Sequence, residues 1–294
     1  MSIALDTLNA ASAADFLAAL GGIYEHSPWV VEAIAAIRPF PTVAALHDAT
    51  AATIRAASTD RKLALLRAHP DLAGKAARAG DMTRESVNEQ AGAGLDRLSE
   101  AEYARFHRLN DAYRVKFGFP FIVCARRHAK DSILDQFERR LGNDATTEID
   151  TALREIAFIS RLRLCDLVDG RGKPQVDGRL STHVLDTHLG RPAPGVRIEL
   201  LMLQNDGREI PLADIETNAD GRTDKPLIGG QPLRVGRYEL RFHVGAYFAR
   251  RAVPAGDPAF LDIVPLRFGI AEPEGHYHVP LLATPWSYST YRGS

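Results

Sequence analysis

The spacing of apolar residues changes halfway along the chain. In "TEIDTALREIAFISRLRLCDLV" they recur every three or four positions, so Ile149, Leu153, Ile156 and Ile159 share one face of a helix. In "YELRFHV" the pattern alternates, which sets Tyr238, Leu240, Phe242 and Val244 toward a core and Glu239, Arg241 and His243 outward. "VRIEL" alternates in the same way. End signals agree with a helical first half. Ser27-Pro28 opens a helix over "WVVEAIAAIRPF", with Ser27 as cap and Pro28 in the first turn. Ser99 and Glu102 form a capping box for "AEYARFHRLNDAYRVKFG", which Gly118 ends. Gly142 stands as the C-cap of "DSILDQFERRLGN". In the second half, "NDG", "ADG" and "GDP" separate short strands, and that rhythm predicts a β-sandwich. Between the halves, "DGRGKPQVDGR" has Gly, Pro and charge but no apolar period. The expected organisation is an all-α helical bundle over residues 1–168, a linker over 169–178 and an all-β domain over 179–294.

Bulk properties narrow the classes of partner. With 294 residues the chain can bury two cores, and 45% hydrophobic with 25% charged residues is the balance of a soluble globular protein. Lys plus Arg number 36 against 37 for Asp plus Glu, which argues against nucleic acid or a membrane surface held by bulk attraction. No apolar run is long enough to span a bilayer. The opening "MSIALDTLNAASAADFLAALGG" lacks a basic region, and Asp6 and Asp15 break its apolar run, so it does not read as a secretory leader. Cys124 and Cys165 fit no metal or redox spacing and read as reduced thiols, consistent with a cytoplasmic protein.

Three stretches of the first half carry candidate chemistry. His69 precedes Pro70, which forces its backbone out of the α region and ends the preceding helix, so the imidazole can project into a cavity. If Thr83 caps the next helix, Ser86, Glu89 and Gln90 fall at i, i+3 and i+4 on one face. "FGFPFIVCARRH" is flanked by breakers and offers backbone groups to a ligand. Taken singly, the plainer readings are a helix terminus at His69-Pro70 and a solvated helix face for Ser86, Glu89 and Gln90.

In series, "HPDLAG", "SVNEQ", "FGFPFIV" and "EIAFISRLRL" resemble the 2-oxo-4-hydroxy-4-carboxy-5-ureidoimidazoline (OHCU) decarboxylase family over the whole first half. The resemblance implies an all-helical enzyme that works without a cofactor. It implies His69 as the catalytic histidine and Glu89 as its carboxylate partner. It further implies Ser86 and Gln90 as ligand-binding, Pro70 and the backbone of Phe121, Ile122 and Val123 as pocket wall, and Arg163 as the grip on the departing carboxylate. The residue types suit the reaction. Loss of CO2 leaves an electron pair that the ring must accept, while the protein orients the carboxylate and controls one proton.

In the second half, His183 lies in "RLSTHVLDTHLGRPAPGV", Arg222 follows the turn in "TNADGR", and His276 and His278 share a strand face in "HYHVP". Three imidazoles, His183, His276 and His278, have the makings of a zinc site, although their spacing does not require one. Surface histidines are the plainer reading for His188 and His243. "STHVLDTHLGRPA", "TNADGR" and "HYHVPLLATPWSYSTYRGS" together resemble the transthyretin-related 5-hydroxyisourate hydrolases. That resemblance implies a transthyretin-like sandwich, no metal, and a site built from His183, Arg222, His278 and the tail Tyr291, Arg292, Gly293 and Ser294. Either His183 or His278 is left as the base that activates water.

The two implied reactions are consecutive: hydrolysis of 5-hydroxyisourate yields OHCU, whose decarboxylation yields (S)-allantoin. The resemblances therefore imply a bifunctional enzyme of urate breakdown acting on small purine-derived substrates, as a homo-oligomer with a transthyretin-like tetramer and a dimer of helical domains. Two other readings compete: a transthyretin-like binding protein with a helical interaction domain, and a hydrolase whose helical half is inactive.

Overall fold

The computed structural model describes residues 2–73, 84–253 and 256–293. The chain divides into two compact units, Met1–Val176 and Asp177–Ser294.

The first unit is helical. Its described helices are Leu5–Ala10, Ala13–Leu20, Trp29–Ala35, Val43–Ala56, Thr59–Arg67, Arg84–Gly92, Glu100–Phe117, Lys130–Arg140 and Ala145–Leu167. The capping box of Ser99 and Glu102 is formed in both directions, and Gly118 ends that helix in the left-handed region at φ 74°. Trp29–Ala35 starts one residue later than expected, with Pro28 already at helical dihedrals and the Ser27 carbonyl accepting from the Val30 N–H at 3.3 Å. Gly142 is not a left-handed cap. Lys130–Arg140 ends through Leu141 in the right-handed region, and the Gly142 N–H donates to the Arg139 carbonyl at 3.0 Å. Phe16, Ile34, Leu46, Leu65, Phe106 and Phe137 belong to one continuous core. Tyr113 packs within it against Phe117, Phe119, Phe121 and Phe137, all with ring centroids within 5.8 Å.

The stretch read as a linker is tied to this helical unit over most of its length. Val168–Asp169 pairs in parallel with Ile3–Ala4. The carbonyls of Arg171 and Gly172 accept from the Val43 and Ala44 N–H groups at 3.0 and 3.1 Å, and so satisfy first-turn amides of Val43–Ala56. Val176 packs against the helical core.

The second unit is a β-sandwich. One layer is antiparallel, in the order Ile263–Ile270, Gly236–His243, Arg197–Leu203, Glu209–Glu216. In the other, Gly178–Ser181 lies between His276–His278 and Ile228–Gln231, and Val184–Asp186 lies between Leu281–Ala283 and Arg191–Pro192. Tyr238, Leu240 and Phe242 are buried, as the alternation predicts. Val244 is buried too, but it opens a short helix, Val244–Arg250. Glu239, expected to face water, is only 1% exposed, because the side chains of Arg241 and Arg267 close over its carboxylate.

Candidate active sites

In the helical unit, Thr59–Arg67 ends at Ala68, and His69 follows with its ring buried. Its Nδ1 lies 2.9 Å from the Leu65 carbonyl oxygen. A carbonyl can only accept, so Nδ1 carries the proton and Nε2 keeps its lone pair. Burial pushes the imidazole down to about 4. The Leu65 bond and Glu25 oppose that shift, while Arg163 and His26 add to it. At neutral pH the ring is therefore an uncharged acceptor.

Ser86, Glu89 and Gln90 share a face of Arg84–Gly92; Thr83, the expected cap, lies outside the described residues. The Gln90 Oε1 accepts from the Ala73 N–H at 2.9 Å and Asn110 donates to the Leu72 carbonyl at 2.9 Å, which pins the turn after His69-Pro70. Ala73 is held there at φ 50°, a left-handed conformation unusual for a residue with a Cβ. Ser86 donates to the carboxylate of Glu25.

Arg163 is the hub. Its Nε and Nη2 donate to the two Glu89 oxygens at 3.0 and 2.8 Å, a bidentate pair. It also reaches Glu25 at 3.4 Å, the Ser86 hydroxyl at 3.2 Å, and the carbonyls of Gly22 and Ile23 at 3.3 Å. The open fork expected for a substrate carboxylate is thus engaged by two carboxylates of the protein, and Glu89 is tied to Arg163. With both acids ionised, the cluster carries a formal charge of one negative.

The far wall is the segment between Gly118 and Ala125. Phe121, Ile122 and Val123 are buried. Arg140 donates to the Ile122 carbonyl at 2.8 Å, and Glu155 accepts from the Cys124 N–H at 2.8 Å, so the wall is fastened through its backbone. Arg140 is itself paired with buried Glu148 at 2.6 Å and stacks on Phe121. These parts surround a small cavity of about 40 Å³, lined by His69, Pro70, Leu72, Ser86, Glu89, Gln90, Phe121, Ile122, Val123, Ala125, Ile159 and Arg163. Every candidate from the first half of the sequence lines this one cavity. Glu25 was missed. It sits in the turn before Trp29–Ala35, 61 residues from Ser86, and its only local signal is an acid beside a helix start.

In the strand unit, the "TNADGR" turn brings the backbone of Arg222 beside that of His183. The Asn218 side chain accepts from the Asp220 and Arg222 N–H groups at 3.0 and 3.1 Å, and Arg222 bridges His183 in the sheet. Gly221 is required there: it adopts φ 68°, and a Cβ would stand 2.3 Å from the Val184 carbonyl. Burial lowers the His183 pKa and the Arg222 charge lowers it further, against a backbone hydrogen bond at Asp220. His183 Nε2 is buried without a hydrogen-bond partner, which leaves Nδ1 for the Asp220 bond.

His276 and His278 share a face, as predicted, and their rings approach the Ser181 hydroxyl at 3.2 and 3.0 Å. Ser181 was missed, although it ends the strand Gly178–Ser181 only two residues before His183. The His278 pKa is lowered by burial first and then by Arg222 and His183, so these three candidates share one electrostatic site. Among the described residues, no group of three or more His, Cys, Asp or Glu is arranged to hold a metal ion.

The tail returns to this site. The Gly293 N–H donates to the His278 carbonyl at 2.9 Å. A Cβ on Gly293 would meet the His278 ring at 2.7 Å, so the glycine lets the tail lie against the imidazole. Arg292 lies over the Tyr277 ring, 4.7 Å from its centroid, while Tyr291 is 59% exposed. Ser294 lies outside the described residues.

A helical cavity built on a neutral histidine and a double-carboxylate arginine, joined in one chain to a sandwich with paired histidines, defines a two-domain fusion. Residues 9–165 match the family model described as OHCU decarboxylase, and residues 180–293 match the HIUase/Transthyretin family. The chain is 42% identical over 173 residues to a 2-oxo-4-hydroxy-4-carboxy-5-ureidoimidazoline decarboxylase of Halalkalicoccus jeotgali, covering 59% of this chain and 96% of that protein. It is 57% identical over 117 residues to 5-hydroxyisourate hydrolase 2 of Rhizobium meliloti, covering 40% of this chain and 97% of that protein. A crystal structure of (S)-allantoin synthase matches 99% of this chain and 100% of its own, at 37% identity and a TM-score of 0.55. The chain belongs to the OHCU decarboxylase family through its helical unit and to the HIUase/transthyretin family through its strand unit.

Proposed function

We propose that the chain performs two successive steps of urate breakdown: the strand unit hydrolyses 5-hydroxyisourate to OHCU, and the helical unit decarboxylates OHCU to (S)-allantoin. The observation that carries this reading is the gathering of His69, Ser86, Glu89, Gln90, the Phe121–Val123 wall and Arg163 around one cavity.

In the helical unit, the ring hydroxyl of OHCU gives its proton to the Nε2 lone pair of His69. As the carbon–carbon bond to the carboxylate breaks, CO2 leaves and its electron pair moves into the adjacent carbon–nitrogen double bond. His69 then returns the proton to the neighbouring ring carbon, the hydroxyl carbon becomes a carbonyl, and the ring nitrogen that received the electron pair takes a second proton from solvent. Delivery from one wall of the cavity sets a single configuration. Glu89 and Glu25 matter through charge. With both ionised they more than offset the Arg163 charge, so the substrate carboxylate meets no bare guanidinium, whose attraction would stabilise the ground state most.

In the strand unit, His183 Nε2 takes a proton from water, which attacks the ring carbonyl. Arg222 stabilises the charge that develops on the carbonyl oxygen. The carbon–nitrogen bond breaks and the ring nitrogen is protonated. His183 is favoured as base because its Nε2 is unpartnered, whereas His278 is held at Ser181. Neither step as written calls for a redox group or a metal. Trp286, Tyr288 and Tyr291 are exposed on the strand unit and form the surface through which we expect a transthyretin-like oligomer to assemble. The two buried thiols fit a cytoplasmic setting.

The test is a circular-dichroism time course on freshly made 5-hydroxyisourate. Optically active allantoin should appear faster than the spontaneous reaction. His69→Asn should stop it at OHCU, and His183→Gln should block its first step. Racemic product at the spontaneous rate would sink the proposal.

A further inference from the structure

The helical unit holds a second cavity, of about 690 Å³, that the decarboxylation does not use. That volume is within the range of small-molecule sites. Its walls are apolar, from Ala51 and Ile54 on one helix and Leu153 and Ala157 on Ala145–Leu167. Its floor carries two buried hydroxyls, Tyr24 and Ser160, with Tyr24 donating to Thr50 at 2.7 Å. Three cations stand on its lining, Arg55, Lys62 and Arg154, against one acid, Asp150. Neither Arg55 nor Lys62 has a carboxylate at ion-pair distance among the described residues. An apolar chamber with an unneutralised positive rim is matched by a ligand with an apolar body and an anionic head.

The floor of this cavity backs onto the catalytic cluster. Tyr24 is the chain neighbour of Glu25, which holds Ser86 and Arg163. Ser160 lies one turn before Arg163 on the same helix, and its neighbour Ile159 lines the catalytic cavity. The two cavities therefore share two backbone segments, the one that carries Tyr24 and Glu25 and the one that carries Ile159, Ser160 and Arg163.

We propose that this second cavity binds a small amphiphilic organic anion, and that its occupancy alters decarboxylation through Tyr24 and Ser160. The binding half stands on the cavity alone; the coupling half rests on the decarboxylase activity proposed above.

The full chain is titrated with the anionic fluorophore 8-anilinonaphthalene-1-sulfonate, and the component lost in Ala157→Trp, which fills the chamber, is taken as the signal. Decanoate should displace that component, and decyltrimethylammonium should not. Arg55→Glu with Lys62→Glu should weaken binding by about tenfold or more. Both residues line the rim, so this double variant keeps the test decisive even where Ala157→Trp fails to fold. Probe binding that survives charge reversal, or is displaced equally by the cation, overturns the site. Saturating decanoate should change the KM of decarboxylation about twofold or more while hydrolysis by the same chain stays constant. An unchanged KM with binding intact overturns the coupling alone.

Discussion

Gly293→Ala gives the sharpest test of the tail's role. The added methyl would stand 2.7 Å from the His278 ring carbon Cδ2 and 3.2 Å from its Cβ, whereas carbon atoms normally approach to about 3.5 Å. Relief requires a movement of about 0.8 Å by the imidazole or by the tail. If the ring moves, it leaves the Ser181 hydroxyl, now 3.0 Å away; if the tail moves, it takes Tyr291 and Arg292 with it. Either way the hydrolytic site is misplaced by nearly an ångström, which at a catalytic centre corresponds to a loss of roughly 10- to 100-fold. The fold should hold, because the Gly293 N–H can still reach the His278 carbonyl and the change lies at the chain end. Hydrolysis is followed by the decay of 5-hydroxyisourate absorbance, and decarboxylation of separately supplied OHCU in the same preparation serves as the control. Hydrolysis within twofold of the unaltered protein would refute the idea that the tail bears on His278.

Two further outcomes follow from buried groups in the helical unit. His69 and His128 both have pKa values held down at about 4 by burial, so as pH falls from 6.5 the unfolded chain takes up these protons first. The unit should therefore keep its stability above pH 6.5 and lose roughly 3 kcal/mol per histidine by pH 4, read as a falling urea midpoint in the helical signal. Arg140→Met leaves the buried Glu148 with hydrogen bonds from Tyr113 and Asn143 but no cation, at a cost of about 3 kcal/mol, and releases the carbonyl of Ile122. Adding Glu148→Leu should restore most of the stability but not the decarboxylation rate, since the wall stays unfastened; recovery of both would show that Arg140 serves the fold alone.

Features with a local cause were legible in the sequence. The box of Ser99 and Glu102, the stop at Gly118 and the burial of Tyr238, Leu240 and Phe242 depend on neighbours a few residues away. So does the break at His69-Pro70. What escaped was charge compensation between distant segments. Glu25 reads as an exposed acid until Arg163 and Ser86 come to it from 138 and 61 residues away. Glu239 obeys the strand alternation, yet its outward face is closed by arginines from its own and the adjacent strand. Arg163 was legible as an arginine at the site, but its fork was expected open; only the fold reveals that two protein carboxylates hold it. Gly142 failed as a cap signal because the turn there is right-handed and needs no glycine.

The seam between Val176 and Asp177 bears on how the chain is dissected. A recombinant fragment ending at Leu167 would look complete by its helices. It would nevertheless strip the partner from Ile3–Ala4 and unmask the amides of Val43 and Ala44. An expression boundary placed after Val176 keeps both. The glycines, proline and charges that resemble a hinge on paper are, in the folded molecule, the last fastening of the helical half.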